Sequence, residues 1–238
     1  MKRKDNSQVE IAYEYLKKRI ISYHLSPETQ LSDFQIATEL EMSRTSVREA
    51  ILLLEMDGLV QINEKGKIVV APIGIDDVMD ILNVRCALET EAVRQIVQHG
   101  WLTSVQEKEL QYIQNKMSRC TTIDMTDEHY DYDDLFHAKL VEASNSKRIL
   151  EILERMRIQM QRARWLNIIH PKRLLEASSE HEAILEALLT HDSEAILPLI
   201  RKHFENSMKA FSEIFEDQKM HSIASMISNF CHSKGDTT

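Results

Sequence analysis

Three of the ten histidines in this 238-residue chain share a pattern with one aspartate. In DYDDLFHAKLVEAS, Asp133 and His137 stand four residues apart, so on a helix they lie on one face. His181, in SSEHEAILEAL, and His203, in IRKHFENSM, fall in two later stretches of helical periodicity. One carboxylate and three imidazoles are a donor set for a divalent transition metal, with positions left for water or ligand oxygens. A helical histidine is also commonly a surface group or a satisfied core residue, and spacing alone leaves both readings open.

A second chemistry is written in SRTSVREAILLLEMDGLV, residues 43–60. Arg44 and Arg48 occupy one helix face, and Val47, Ile51 and Leu54, with Ala50 and Leu53 alongside, form the opposite one. Arginine takes a guanine edge bidentately or clamps a phosphate. Thr45 and Ser46 add short hydroxyls at a helix N-terminus, itself a favourable place for phosphate. The alternative is a pair of solvated arginines, with Arg48 on Glu49 or a neighbour.

The elements that must carry these residues follow from periodicity. VEIAYEYLKKRIISYHL reads as a helix broken by SPETQ. LSDFQIATEL is a short helix that Ser32 can cap, and Ser43 can cap the next, which Gly58 ends. LVQIN and KIVVA are β-type runs around EKG, a hairpin with Lys65, Gly66 and Lys67 at its tip. Three helices and a hairpin in this order predict a winged helix-turn-helix over residues 1–72. Its third helix would enter a major groove, and the wing would lie on the backbone or in the minor groove.

Pro72 and Gly74 mark a linker. From residue 76 to 238 the chain reads as all-helical, with Ser104 and Glu107 spaced as a capping box and Pro198 a few residues inside a last long helix that starts near Asp192. Met156, Met160 and Trp165 read as core. The expected fold is therefore mainly α: an N-terminal winged helix-turn-helix followed by an all-α antiparallel bundle. Charge divides unevenly between them. Residues 1–74 hold 10 basic and 11 acidic side chains, and the remainder holds 19 against 27, so the overall charge of -9 belongs to the helical half. That balance argues against nonspecific coating of nucleic acid and leaves room for a local basic patch. Three widely spaced cysteines suit buried thiols in a reducing cytoplasm. No apolar run reaches the roughly 20 residues of a membrane span.

MSRTSVREAILLLEMDGLV resembles the signature of the GntR family, and D-x-x-F-H-x-x-L-x-x-A-S-x-N, E-H-x-x-I-L-x-A and a final histidine resemble its FCD branch. The resemblance implies that Arg44 and Arg48 contact operator DNA, that Gly66 sits at the wing tip, and that the chain binds a pseudo-palindrome as a homodimer. It implies that Asp133, His137, His181 and His203 line the bundle interior and hold a metal such as zinc or nickel, which helps bind a small organic acid. Arg85, in NVRCALETEA, matches a recurrent arginine that would meet the effector carboxylate; an internal pair with Glu89 is the alternative. Ser46 stands where proline is common in the family. Phe34 replaces an arginine that many members direct to phosphate, and is not counted as a contact. His24, His99, His129, His170, His191, His221 and His232 match no such position and read as surface residues.

The function expected is an effector-responsive transcription regulator rather than an enzyme. A metalloenzyme or a pure metal sensor could use the same Asp and His set. Against the enzyme, HExxH is absent, and Glu180 and Glu182, which flank His181, are expected to point away from its face.

Overall fold

The computed structural model describes residues 2–122, 125–167 and 171–217. These form two compact units divided between Gly74 and Ile75. In the first, α1 (Lys2–Ile21), α2 (Asp33–Glu39) and α3 (Arg44–Met56) precede β1 (Val60–Ile62) and β2 (Ile68–Val70). Ser32 and Ser43 are the N-caps of α2 and α3, each in extended backbone, with their hydroxyls accepting from the amides of Gln35 and Ser46. A capped α3 starts at Arg44, which puts both arginines in its first two turns.

The helices close on Ala12, Leu16 and Ile20 of α1 and on Val47, Ala50, Ile51 and Leu54 of α3, all at most 3% exposed. Leu53, expected on that inner face, is 41% exposed, because it lies 100° round the helix from Leu54. β1 and β2 pair antiparallel with Gln61 opposite Val69. The turn between them is tied by Asn63, whose side-chain carbonyl accepts from the amides of Lys65 and Lys67, and Gly66 takes the φ of +68° that the turn requires. The segment between α1 and α2, which reads in sequence only as a break, adds to this sheet. Glu28 and Leu31 donate to the carbonyls of Val70 and Ile68, and the Val70 amide donates to Thr29.

The second unit contains α4 (Ile75–Gln98), α5 (Ser104–Met117), α6 (Thr126–Ala143), α7 (Lys147–Asn167), α8 (Pro171–Leu189) and α9 (Ile196–Asp217). α4 packs on α6, α7 and α9, while α8 packs on α5, α6 and α9. Helix α5 begins one residue earlier than the sequence suggests. Thr103 is the N-cap, and its capping-box partner is Gln106, not the Ser104 and Glu107 pair. Thr103 wins because its own backbone is extended and both reciprocal bonds form. Likewise α9 starts at Ile196, after Asp192 has accepted from the amides of Glu194 and Ala195. Pro198 then falls in the first turn of the helix, where proline is tolerated. Met160 is buried and Met156 packs against the core, as expected; the side chain of Trp165 lies outside the described ones. Among the described residues, no helix is long and apolar enough to cross a membrane.

Candidate functional site

In the helical unit, α6 supplies Asp133 and His137, α8 supplies His181 and α9 supplies His203. The three imidazoles are buried, and one ring nitrogen from each lies within 4.8 Å of the other two. His181 Nε2 is 3.2 Å from His137 Nε2 and 3.7 Å from Asp133 Oδ1. Each ring is oriented from behind. His137 Nδ1 is 2.5 Å from Glu89 Oε2, and His203 Nδ1 is 2.8 Å from Glu180 Oε2. His181 Nδ1 faces the Met117 sulfur at 3.4 Å, and its ring stacks on Phe136 at 4.7 Å between centroids. With Nδ1 engaged, Nε2 is the nitrogen each ring has left for an ion, those of His137 and His181 being bonded to each other in its place, and a carboxylate behind an imidazole is the arrangement that raises its strength as a ligand.

The charges in this chamber are mutually compensated. Burial opposes ionisation of Glu89, but His137 and Arg85 outweigh it and hold its pKa to about 2. Burial likewise opposes ionisation of Asp133, and His181, His137 and His203 keep its carboxyl well below the usual range. Glu180 is held to about 2 against the effect of burial, by hydrogen bonds from His203 and Arg173. Burial pushes His181 well below an ordinary histidine and lowers His203 too, despite Glu180. His137 moves the other way, because Glu89 more than offsets the effect of burial. Of the three rings, His137 is thus the one whose protonated form the surroundings favour, through Glu89.

Arg85, Asp133, His137, Arg173, His203 and Phe204 line a cavity of about 60 Å³ beside this cluster. That is room for about two waters. Arg85 Nε donates to Glu89 Oε1 at 2.9 Å, so the internal pair weighed for it does form. Its guanidinium lies 5.4 Å from the Phe204 ring centre.

One expectation requires correction here. His129 is not on the surface but 1% exposed. It lies one turn before Asp133, its Nε2 bonds the Leu174 carbonyl and it lines the same cavity. Glu180 lies off the face of His181 and is directed into the bundle. One residue before His181 is 100° round α8, which directs it at α9, where it accepts from His203, Asn206 and Arg173. Glu182 is exposed, as are His24, His99 and His191; His170, His221 and His232 lie outside the described residues. Glu180 and Arg173 escape a sequence reading because their bonds to His203, Asn206 and Ser207 join α8 to α9 across 23 residues or more.

In the first unit, Arg44 and Arg48 stand out from α3 with side chains 56% and 68% exposed, and Thr45 is exposed beside them. Lys65, Gly66 and Lys67 are exposed at the wing tip. Ser46 differs from expectation. It is 3% exposed, and its hydroxyl turns inward to Ser43 and to Gln8 of α1, because the third position of a capped helix faces back toward the cap. Neither arginine pairs with Glu49. Both reach Asp33, the first residue of α2, which no spacing rule singles out.

Fold and site together define a helix-turn-helix regulator with a helical second unit. Residues 8–70 match the model for bacterial regulatory proteins of the gntR family, and residues 80–206, more than half of the chain, match the FCD domain. The chain belongs to the GntR family and carries an FCD domain; it is a transcription regulator and not an enzyme. It is 28% identical over 207 residues to the HTH-type transcriptional regulator BphR of Paraburkholderia xenovorans, spanning 85% of this chain and 84% of that one. It is 27% identical over 231 residues to the gluconate operon transcriptional repressor of Bacillus subtilis, spanning 91% and 90%. Among solved structures, E. coli McbR/YncC shares the fold with a TM-score of 0.70 at 22% identity, over 87% of this chain and 98% of that one.

Proposed function

We propose that this regulator binds a pseudo-palindromic operator as a homodimer and that a small organic acid, held with a divalent metal in the bundle, sets its affinity for DNA. Residues 1–72 form the DNA-binding module, with Arg44, Thr45, Arg48, Lys65 and Gly66 as its contacts. Residues 76–238 form the effector-binding and dimerisation domain. The observation that carries the effector reading is the convergence of three imidazoles and Asp133 beside a cavity that Arg85 also lines.

The donor set fits zinc or nickel, which accept imidazole and carboxylate together. Asp133, His137, His181 and His203 would hold the ion, which when bound offers open positions to carboxylate oxygens. His137 would give up its Nε2 proton on binding and keep the Nδ1 proton on Glu89. Arg85 uses Nε on Glu89, leaving its terminal amino groups for the acid's second oxygen. Glu89 therefore positions both a ligand and an effector contact. Glu89→Gln is expected to weaken metal affinity about 10- to 100-fold without unfolding the bundle, read by competition with a metallochromic chelator.

A cavity of about 60 Å³ is small beside the roughly 300 Å³ or more of an ordinary ligand pocket, so an organic acid favours a bundle in which the lining helices stand further apart. That is the basis for coupling: the acid favours whichever arrangement of the bundle opens the chamber, and the operator favours one arrangement of the two modules. The same volume favours a second reading, in which the ion alone is the signal. Titration of operator affinity with zinc or nickel, with and without a panel of organic acids, separates them. A further shift on adding acid is the expected result. A tenfold change from metal alone with no acid effect, about 1.4 kcal/mol, establishes the metal sensor instead.

A further inference from the structure

Asp33 is the first residue of α2 and sits under both arginines of α3. Its Oδ2 accepts from Arg44 at 3.0 Å and from Arg48 Nε at 2.7 Å, and its Oδ1 accepts from Arg44 at 3.1 Å. The Asp33 side chain is 17% exposed, so the carboxylate lies in the angle between the two helices while the guanidiniums project beyond it. Arg44 comes first among the groups that hold its carboxyl below the ordinary range, with Arg48 adding to it.

We propose that Asp33 is a positioning residue for operator recognition, fixing Arg44 and Arg48 side by side so that sequence is read rather than charge alone. This rests on the reading that the two arginines contact DNA. Two guanidiniums one helical turn apart repel each other, and each has many rotamers to lose on binding. A shared carboxylate removes both obstacles before DNA arrives. The way it is shared matters. Arg48 is held by Nε, which leaves its two terminal nitrogens for a base edge, the atoms a bidentate contact to guanine uses. Arg44 is held by one terminal nitrogen, leaving Nε and the other. Asp33 also places a negative charge beside the phosphate backbone. That discourages loose electrostatic binding, in which geometry counts for little. The device therefore acts on the ratio of specific to nonspecific affinity.

The test uses the full chain, a duplex selected by that chain from a random library, and a scrambled duplex of equal length and composition. Asp33→Asn is expected to weaken binding to the selected duplex about tenfold and to leave binding to the scrambled one equal or stronger, so the ratio falls at least tenfold. Asp33→Glu, which keeps the charge and reaches both arginines, is expected to restore most of the ratio. It also serves if the asparagine variant folds poorly. In a chain already carrying Arg44→Ala and Arg48→Ala, Asp33→Asn is expected to leave the ratio of the two affinities unchanged, because the charge it removes acts on both duplexes alike. An unchanged ratio in Asp33→Asn overturns the proposal. So does tighter binding to the selected duplex with a rising ratio, since Asp33 would then be a competitor for the arginines. If the double alanine chain by itself still binds the selected duplex normally, the DNA-contact reading fails first, by a measurement that does not involve Asp33.

Discussion

Replacing Arg44 and Arg48 together with alanine is expected to abolish specific operator binding while leaving the fold intact. The fold survives because both side chains project from α3 and are more than half exposed, while the face that holds α3 down, Val47, Ala50, Ile51 and Leu54, is untouched. Asp33 loses its partners, yet its carboxylate retains access to water. The binding loss is large because each bidentate arginine contact to a base contributes about 1–3 kcal/mol of discrimination. Two such contacts make roughly 30-fold to 10⁴-fold in affinity. Fluorescence anisotropy with selected and scrambled duplexes reads the loss, and a salt titration assigns it. If the arginines hold base edges, the loss falls on the selected duplex. If they hold phosphates, both duplexes weaken alike and the salt slope drops by about one for each phosphate that is no longer neutralised. A normal footprint from the variant removes α3 from the recognition surface.

In the helical unit the largest effect is expected from His181→Gln. His181 is the centre of the cluster, fully buried, with Nε2 facing both His137 and Asp133. Glutamine keeps a polar group of similar length, so the variant tests coordination more than packing. A four-ligand structural zinc site contributes about 10–16 kcal/mol, so one ligand accounts for on the order of 3 kcal/mol, or two orders of magnitude in affinity. That converts to a thermal signature. At a metal concentration 100 times its dissociation constant the wild-type chain gains about 2.7 kcal/mol. At the same concentration a variant weakened 100-fold gains only about 0.4 kcal/mol. For a unit of this size the difference is a rise in Tm of about 5–10 °C against about 1 °C. Calorimetry of chelator-treated protein, with zinc or nickel added back, measures both. Equal rises in the two chains, or no rise in the wild type, overturn the metal reading.

Local pattern is enough to specify the elements of this chain and their order. Three helices, a hairpin and an all-helical remainder are legible in the sequence because amphipathic period, capping serines and Gly66 act over a few residues. The histidines that meet in the chamber are legible too, through i, i+4 spacing and a motif resemblance. Differences at this level are shifts of one to four residues, as where Thr103 takes the cap from Ser104 and α9 starts at Ile196 instead of near Asp192. Which groups stand behind the named ones is a matter of tertiary packing alone. Asp33 under the arginines, Glu89 behind His137 and Glu180 behind His203 are joined to their partners across 11 to 48 residues. Their roles depend on how far one helix is rotated against another, and a single step along a helix turns a side chain by 100°. That rotation carries Glu180 toward α9, turns Ser46 inward and brings His129, a surface histidine by its sequence context, to the chamber wall. It is set by the packing of whole helices, to which every buried residue contributes.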